Sequence, residues 1–116
     1  MKILVIDDED SSRVVTGALL DLLGHETVLV ENGQEGLDTV ATEPFDLVMV
    51  DLYLPGMDGL EVCERLRKSN KKIKIILMSG SINLKELEKY VDKYKILKLI
   101  QKPIKTNLLK DALDNV

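Results

Sequence analysis

The sequence predicts an α/β fold: a doubly wound arrangement of five β–α units, with a five-stranded parallel sheet and helices on both faces. Three observations predict it. Short apolar runs rich in β-branched residues alternate five times with segments whose apolar positions recur at helical spacing. Several of the runs carry almost no polar residue, as strands buried on both faces do. Strands that alternate with helices join through right-handed crossovers, which builds a parallel sheet rather than hairpins.

Each element has its own signals. Ile3, Leu4, Val5 and Ile6 form the first strand, which stops abruptly at Asp7 and Asp8. Asp10 or Ser11 is suited to cap the helix that follows. Val15, Leu19, Leu22 and Leu23 share one face of that helix, and Gly24 ends it. Thr27 to Glu31 reads as the second strand. Asn32 and Gly33 signal a turn, and a helix over Gln34 to Thr42 buries Leu37, Val40 and Ala41 before Pro44 closes it.

Asp46 to Asp51 is a third strand, again ending on an acid. Pro55, Gly56 and Gly59 make 52–59 a loop. A helix over Leu60 to Ser69 places Val62, Cys63 and Leu66 on its inner face. Ile73 to Met78 is the fourth strand, ending at Ser79, Gly80 and Ser81. Leu84, Leu87, Val91 and Tyr94 mark a fourth helix. Ile96 to Gln101 is the fifth strand, ending at Lys102 and Pro103. Thr106 is suited to cap a last helix that carries Leu109, Ala112, Leu113 and Val116. No linker or low-complexity tract interrupts the pattern, so residues 1–116 read as one domain.

Composition excludes several function classes. Lys plus Arg total 16 against 20 for Asp plus Glu, a formal net charge of -4. That balance argues against direct nucleic-acid binding, which needs clustered cations. The single cysteine, Cys63, has no partner for an internal disulfide, and one Cys with one His (His25) is a poor zinc set. No stretch approaches the ~20 apolar residues of a membrane span, and the opening run is too short for a signal peptide. These features point to a cytoplasmic setting. Lys85, Lys89, Lys93, Lys95 and Lys98 read first as a solvated face.

In an open parallel sheet, ligands bind beyond the carboxyl ends of the strands. Those ends carry Asp7 and Asp8, Asp51, Ser79 and Lys102. Each alone reads better as a cap or a turn than as a functional group, but one architecture brings all of them to one edge. Two carboxylates ~5 Å apart repel by about 3 kcal/mol at an effective dielectric of 20. Three therefore call for protonation or a cation. Hard oxygen ligands favour Mg²⁺ over zinc or copper. A carboxylate beside such a metal can attack phosphorus, and an ammonium and a hydroxyl suit the charge on a transferring phosphoryl group.

The constellation resembles the receiver domain of two-component response regulators over essentially the whole chain. The resemblance is carried by ILVIDDE at 3–9, Arg13, VMVDLYLPGMDG at 48–59, MSGS at 78–81 and QKP at 101–103. It implies a flavodoxin-like sheet in the order 2-1-3-4-5. It implies that Asp51 accepts the phosphoryl group, and that Asp8 ligates Mg²⁺ directly while Asp7 does so largely through water. Asp51 and the backbone carbonyl of Tyr53 would complete the protein ligands. Ser79 would bond a phosphoryl oxygen, Lys102 would pair with the same group, and the bond before Pro103 would be cis. One position departs from the pattern: Leu99 stands where many receivers carry Tyr or Phe. With no ring to rotate there, the response to phosphorylation is expected in the loop 80–83 and the start of the fourth helix.

The function implied is a regulatory phospho-acceptor, not an enzyme. It would take its phosphoryl group from a sensor histidine kinase or a histidine phosphotransfer protein and pass the signal to a downstream protein or effector domain. Slow loss of its own phosphoryl group is expected. Two rivals are a metal-dependent phosphohydrolase with an aspartyl nucleophile and a degenerate receiver that serves only as a scaffold. The hydrolase commonly places an acid two residues after its nucleophile, where this chain has Tyr53. The scaffold is at odds with the presence of Asp7, Asp8, Asp51, Ser79 and Lys102 together.

Overall fold

A computed structural model of the chain describes every residue except Lys71 and Ile82, and the backbone but not the side chain of Leu84. Five strands and five helices alternate: β1 (Lys2–Ile6), α1 (Asp10–Leu22), β2 (Glu26–Val30), α2 (Gly33–Thr42), β3 (Leu47–Asp51), α3 (Gly59–Ser69), β4 (Lys74–Ser79), α4 (Leu84–Tyr94), β5 (Lys98–Gln101) and α5 (Thr106–Asp114). The sheet is parallel throughout, in the order β2-β1-β3-β4-β5. The strand order therefore reverses between β1 and β3, the place where such sheets open a crevice.

Alternation along each strand divides the core in two. Leu4, Ile6, Val48, Val50, Ile75 and Leu77 face one side, with Val62, Cys63 and Leu66 of α3 and Leu87 and Tyr94 of α4. Ile3, Val5, Leu47, Met49, Ile76 and Met78 face the other, with Leu20 of α1 and Leu109, Ala112 and Leu113 of α5. Helices α2, α3 and α4 thus cover one face of the sheet, and α1 and α5 the other.

The element boundaries match the sequence expectation to within two residues, the widest gaps being at the start of β5 and the end of α5, while several faces and caps differ. Helix α1 buries Thr16, Gly17 and Leu20. Leu19 and Leu23 pack only partly, and Val15 and Leu22 are 56% and 84% exposed. Small residues explain the rotation. A Cβ on Gly17 would lie 3.0 Å from the Leu29 side chain, so the helix settles where the least bulk lets it approach β2. The same holds at α2, where Gly33 and Gly36 are buried and Ala41 is exposed. Asp10 and Ser11 do not cap α1. Glu9 occupies the cap position, where its carboxylate accepts from the Ser11 hydroxyl and not from a backbone N–H of the first turn, and Asp10 instead pairs with Arg13. Lys105, not Thr106, precedes α5, and Val116 lies beyond that helix, 39% exposed.

The stops behave as the sequence implies. Gly24, at φ +88°, ends α1 with its N–H donating to Asp21 and that of His25 to Leu20, a Schellman closure. Ile96 and Leu97 lie outside β5 because the Ile96 N–H is taken by the Val91 carbonyl as α4 closes through Lys95, at φ +52°. Helix α4 is further held by Arg67 at the end of α3. Its Nε donates to the Tyr94 carbonyl at 2.6 Å, Nη2 to that of Lys95 at 3.1 Å and Nη1 to that of Asn70 at 3.2 Å.

Candidate functional site

Strands β1 and β3 deliver the acids to the crevice between them. Asp7 follows directly on β1, with no exposed surface, and its N–H donates to the Val30 carbonyl of β2 at 3.1 Å. Asp8 is exposed, and Asp51, the last residue of β3, is 7% exposed. One carboxylate oxygen from each of Asp7, Asp8 and Asp51 lies within 4.8 Å of the other two. Lys102, just past β5, reaches across: its Nζ donates to Asp7 Oδ2 at 2.8 Å and Asp51 Oδ2 at 2.6 Å. The Lys102–Pro103 bond is cis.

Burial pushes the Asp7 carboxyl up, but bonds from Lys102, Ser12 and the Glu9 N–H outweigh it and hold the group below the usual carboxylate range. Burial also dominates at Asp51 and leaves it above its ordinary value despite Lys102. Burial pulls the Lys102 ammonium down, yet its two carboxylate partners keep it above the ordinary lysine value. Of the two carboxylates that share Lys102, the acceptor candidate Asp51 is thus the one whose negative charge is less well compensated.

Loop 52–58 is tied at both ends. The Tyr53 N–H donates to Asp51 Oδ1 at 3.1 Å, which holds the backbone of residue 53 against the acid. The Gly59 N–H donates to the Leu52 carbonyl at 2.8 Å. A Cβ on Gly59 would lie 2.3 Å from the Asp51 carbonyl oxygen and 2.7 Å from Leu52 Cα, so the chain passes the acceptor where only glycine fits. The Tyr53 ring is 65% exposed.

Ser79 stands at the end of β4, buried, but its hydroxyl is engaged locally. It donates to the Ser81 carbonyl at 3.0 Å and accepts from the Ser81 N–H at 3.1 Å. Leu99 is half-buried against the α4 side of the core. The loop expected to respond, 80–83, includes Ile82, which lies outside the described residues.

The acids open onto a cleft of about 760 Å³ whose walls include Val15, Tyr53, Pro103 and Ile104 besides Asp8, Asp51 and Lys102. Three formal negative charges against one positive leave the mouth of this cleft anionic. Hard oxygen donors with that deficit fit a divalent cation such as Mg²⁺, which binds through one or two carboxylates and keeps further positions for water or phosphoryl oxygen.

One neighbour escaped the sequence reading. Ser12, in the first turn of α1, donates from Oγ to Asp7 Oδ2 at 2.6 Å. The adjacent Arg13 donates from Nη1 to the Asp7 carbonyl at 2.9 Å. A serine inside a helix carries no local signal of this kind. Only the spacing of five from Asp7, read together with the turn between them, would have found it.

Comparison with known proteins agrees with this fold. The family model described as the response regulator receiver domain matches residues 3–114. Sporulation initiation phosphotransferase F of Bacillus subtilis is 35% identical over 79 residues, which cover 68% of this chain and 64% of that protein. The sensory/regulatory protein RpfC of Xanthomonas campestris pv. campestris is 42% identical over 67 residues, 58% of this chain and 9% of that protein. The chain thus spans less than two thirds of either relative. The chemotaxis protein CheY4 of Vibrio cholerae superposes with a TM-score of 0.91 at 23% identity, covering 99% of this chain and 97% of that one, a likeness of fold. With its motifs at the strand ends, its sheet order and the family match over 3–114, the chain belongs to the response regulator receiver domain family.

Proposed function

We propose that this receiver domain is a phosphorylation-dependent switch whose acceptor is Asp51. The observation that carries the reading is the bridge of Lys102 between Asp7 and Asp51 at the head of the crevice. An ammonium held by two carboxylates can exchange one of them for a phosphoryl oxygen without leaving its place. A carboxylate oxygen of Asp51 attacks phosphorus of a phosphohistidine, the P–N bond breaks, and its electron pair leaves with the imidazole, which takes up a proton. Asp51 is left as an acyl phosphate, which water slowly hydrolyses.

Asp7, Asp8, Asp51 and the backbone carbonyl of Tyr53 would hold Mg²⁺, which when bound offsets the charge of the phosphoryl oxygens. Lys102 stays charged throughout and pairs with the phosphoryl group. Ser79 gives up its bonds to Ser81 and donates to a phosphoryl oxygen. That change pulls on loop 80–83 and the start of α4, and Leu99 adds no ring movement to it.

The donor is a sensor histidine kinase or a histidine phosphotransfer protein. Such a partner must cover Val15, Pro103 and Ile104 to bring phosphorus to Asp51, since these residues wall the same cleft. The name of the sporulation relative, a phosphotransferase, supports this reading. The receiver passes the signal to a downstream protein or effector domain, with no nucleic acid or membrane bound directly. Among the described residues no helix is long and apolar enough to cross a membrane. We place the domain in the cytoplasm, where Cys63 remains a thiol.

The test is intact mass after incubation with Mg²⁺ and a small acyl or amido phosphate. One acid-labile phosphoryl group is expected on the parent and none on Asp51→Asn. Undiminished labelling of the variant overturns the assignment.

A further inference from the structure

The Asp7 residue is gripped at every polar atom. Its N–H is tied to β2, its carbonyl accepts from Arg13 Nη1, Oδ1 accepts from the Glu9 N–H at 3.0 Å, and Oδ2 accepts from both Ser12 and Lys102. These donors are not equivalent. The Lys102 ammonium is shared with Asp51, and a phosphoryl group on Asp51 would compete for it. The Ser12 hydroxyl has no competing acceptor among the hydrogen bonds of the described residues and bonds Asp7 Oδ2 alone. It also stands on the first turn of a helix, a rigid support that points its side chain back toward the end of β1.

We propose that Ser12 is a positioning residue for the acidic cluster. Its hydroxyl holds the Asp7 carboxylate in one orientation, so that the charge presented to a divalent cation does not depend on where Lys102 is engaged. The inference rests on the reading of Asp7, Asp8 and Asp51 as a metal site. It extends that reading to a side chain that touches neither metal nor phosphoryl group. Hydrogen-bonded partners of metal-bound carboxylates commonly govern affinity 10- to 100-fold when they are removed.

The experiment is calorimetric titration of the unphosphorylated protein with Mg²⁺, for the parent and for Ser12→Ala, Ser12→Thr and Ser12→Val. Ser12→Ala and Ser12→Val should bind about 10-fold more weakly. Ser12→Thr, which keeps the hydroxyl, should stay within about twofold of the parent by the same reasoning. Thermal midpoints without metal should fall in Ser12→Ala and Ser12→Val, which leave the buried Asp7 carboxylate one donor short, and less in Ser12→Thr, which keeps the bond. Labelling with a small phosphate donor should show the same split: more Mg²⁺ is needed for half-maximal rate in the alanine variant, with the rate at saturating Mg²⁺ nearly retained.

Equal affinity of Ser12→Ala and the parent overturns the proposal and leaves the metal site intact. Equal weakness of threonine and valine also overturns it, because shape rather than the hydroxyl would then matter. A parent that binds no Mg²⁺ overturns the metal reading itself, a different failure. If Ser12→Ala does not fold, the threonine and valine pair, matched in volume, decides the matter alone.

Discussion

Two cations, Lys102 and Arg67, stand at opposite ends of the sheet and are satisfied in opposite ways. Lys102 lies beyond the carboxyl edge and bonds two carboxylates, which keep its ammonium above the ordinary lysine value. Arg67 lies near the amino edge and bonds three backbone carbonyls, and burial draws it below the ordinary arginine value. The carboxylates are side chains that other ligands can engage. The carbonyls are the ends of helices and have nothing else to do. A cation with exchangeable partners can take part in chemistry, and one clamped by main chain can only hold parts together.

The largest effect expected is at the acceptor. Asp51→Asn should lose phosphoryl labelling entirely while its thermal midpoint falls no lower than that of the parent, because burial disfavours the charge removed. A lower midpoint in metal-free buffer would sink the view that this carboxylate is held at a cost.

Next comes Lys102→Ala, which leaves Asp7 and Asp51 without their shared cation. At ~5 Å and an effective dielectric of 20 their repulsion is about 3 kcal/mol, the upper range of the destabilisation expected near neutral pH. The pH dependence has a definite sign. In the parent the folded Asp7 carboxyl lies below its unfolded value of 3.8, so its contribution is present above that value and lost as pH falls through the folded one. The gap in stability between parent and variant should therefore close on acidification, as chemical denaturation from pH 7 down to pH 3 would reveal. A gap that widens instead would break the comparison.

Mg²⁺ should stabilise the parent by about 2.7 kcal/mol at 100 times its dissociation constant. Asp8→Ala should lose most of that gain and Arg67→Ala none of it. Arg67→Ala should in turn cost about 2 kcal/mol in urea denaturation through its lost bonds to the ends of α3 and α4, with Mg²⁺ affinity unchanged. A fall in metal affinity in that variant would mean the two ends of the sheet are coupled.

The smallest effect concerns Cys63, on the inner face of α3. Burial pushes its thiol up to about 12. At pH 8 a disulfide reagent should label the native protein only as fast as it unfolds. Labelling should quicken in Arg67→Ala and stay at the parent rate in Asp51→Asn.

The sequence was most legible where chemistry and chain direction coincide. Asp7, Asp51, Ser79 and Lys102 each end or follow a strand, so the β–α alternation alone brought them to one edge. The face of α1 was misread because hydrophobic spacing gives weight to Val15 and Leu22, whereas the helix buries the small Thr16 and Gly17, with Gly17 closing on Leu29. Ser12 was missed because its partner is set by how a helix turns back over the strand before it, a relation absent from any local pattern. The division of labour between Lys102 and Arg67 was equally hidden, since no local pattern tells whether a basic residue near the end of an element meets carboxylates or carbonyls.

The approach of Gly59 to the acceptor backbone has a consequence for how descendants of this chain can diverge. The segment 53–58 hangs from two anchor points, the Leu52 carbonyl bonded by Gly59 and the Asp51 carboxylate bonded by residue 53. Its tip at Gly56, with φ +79° and no atom near its missing side chain, faces open space. Insertions there can lengthen the loop outward and leave Asp51 where it is. A side chain at 59 has no such freedom, because it would press on the carbonyl of Asp51 itself. Change in loop length and change at the anchor are thus separate paths, the first open to drift and the second closed to it.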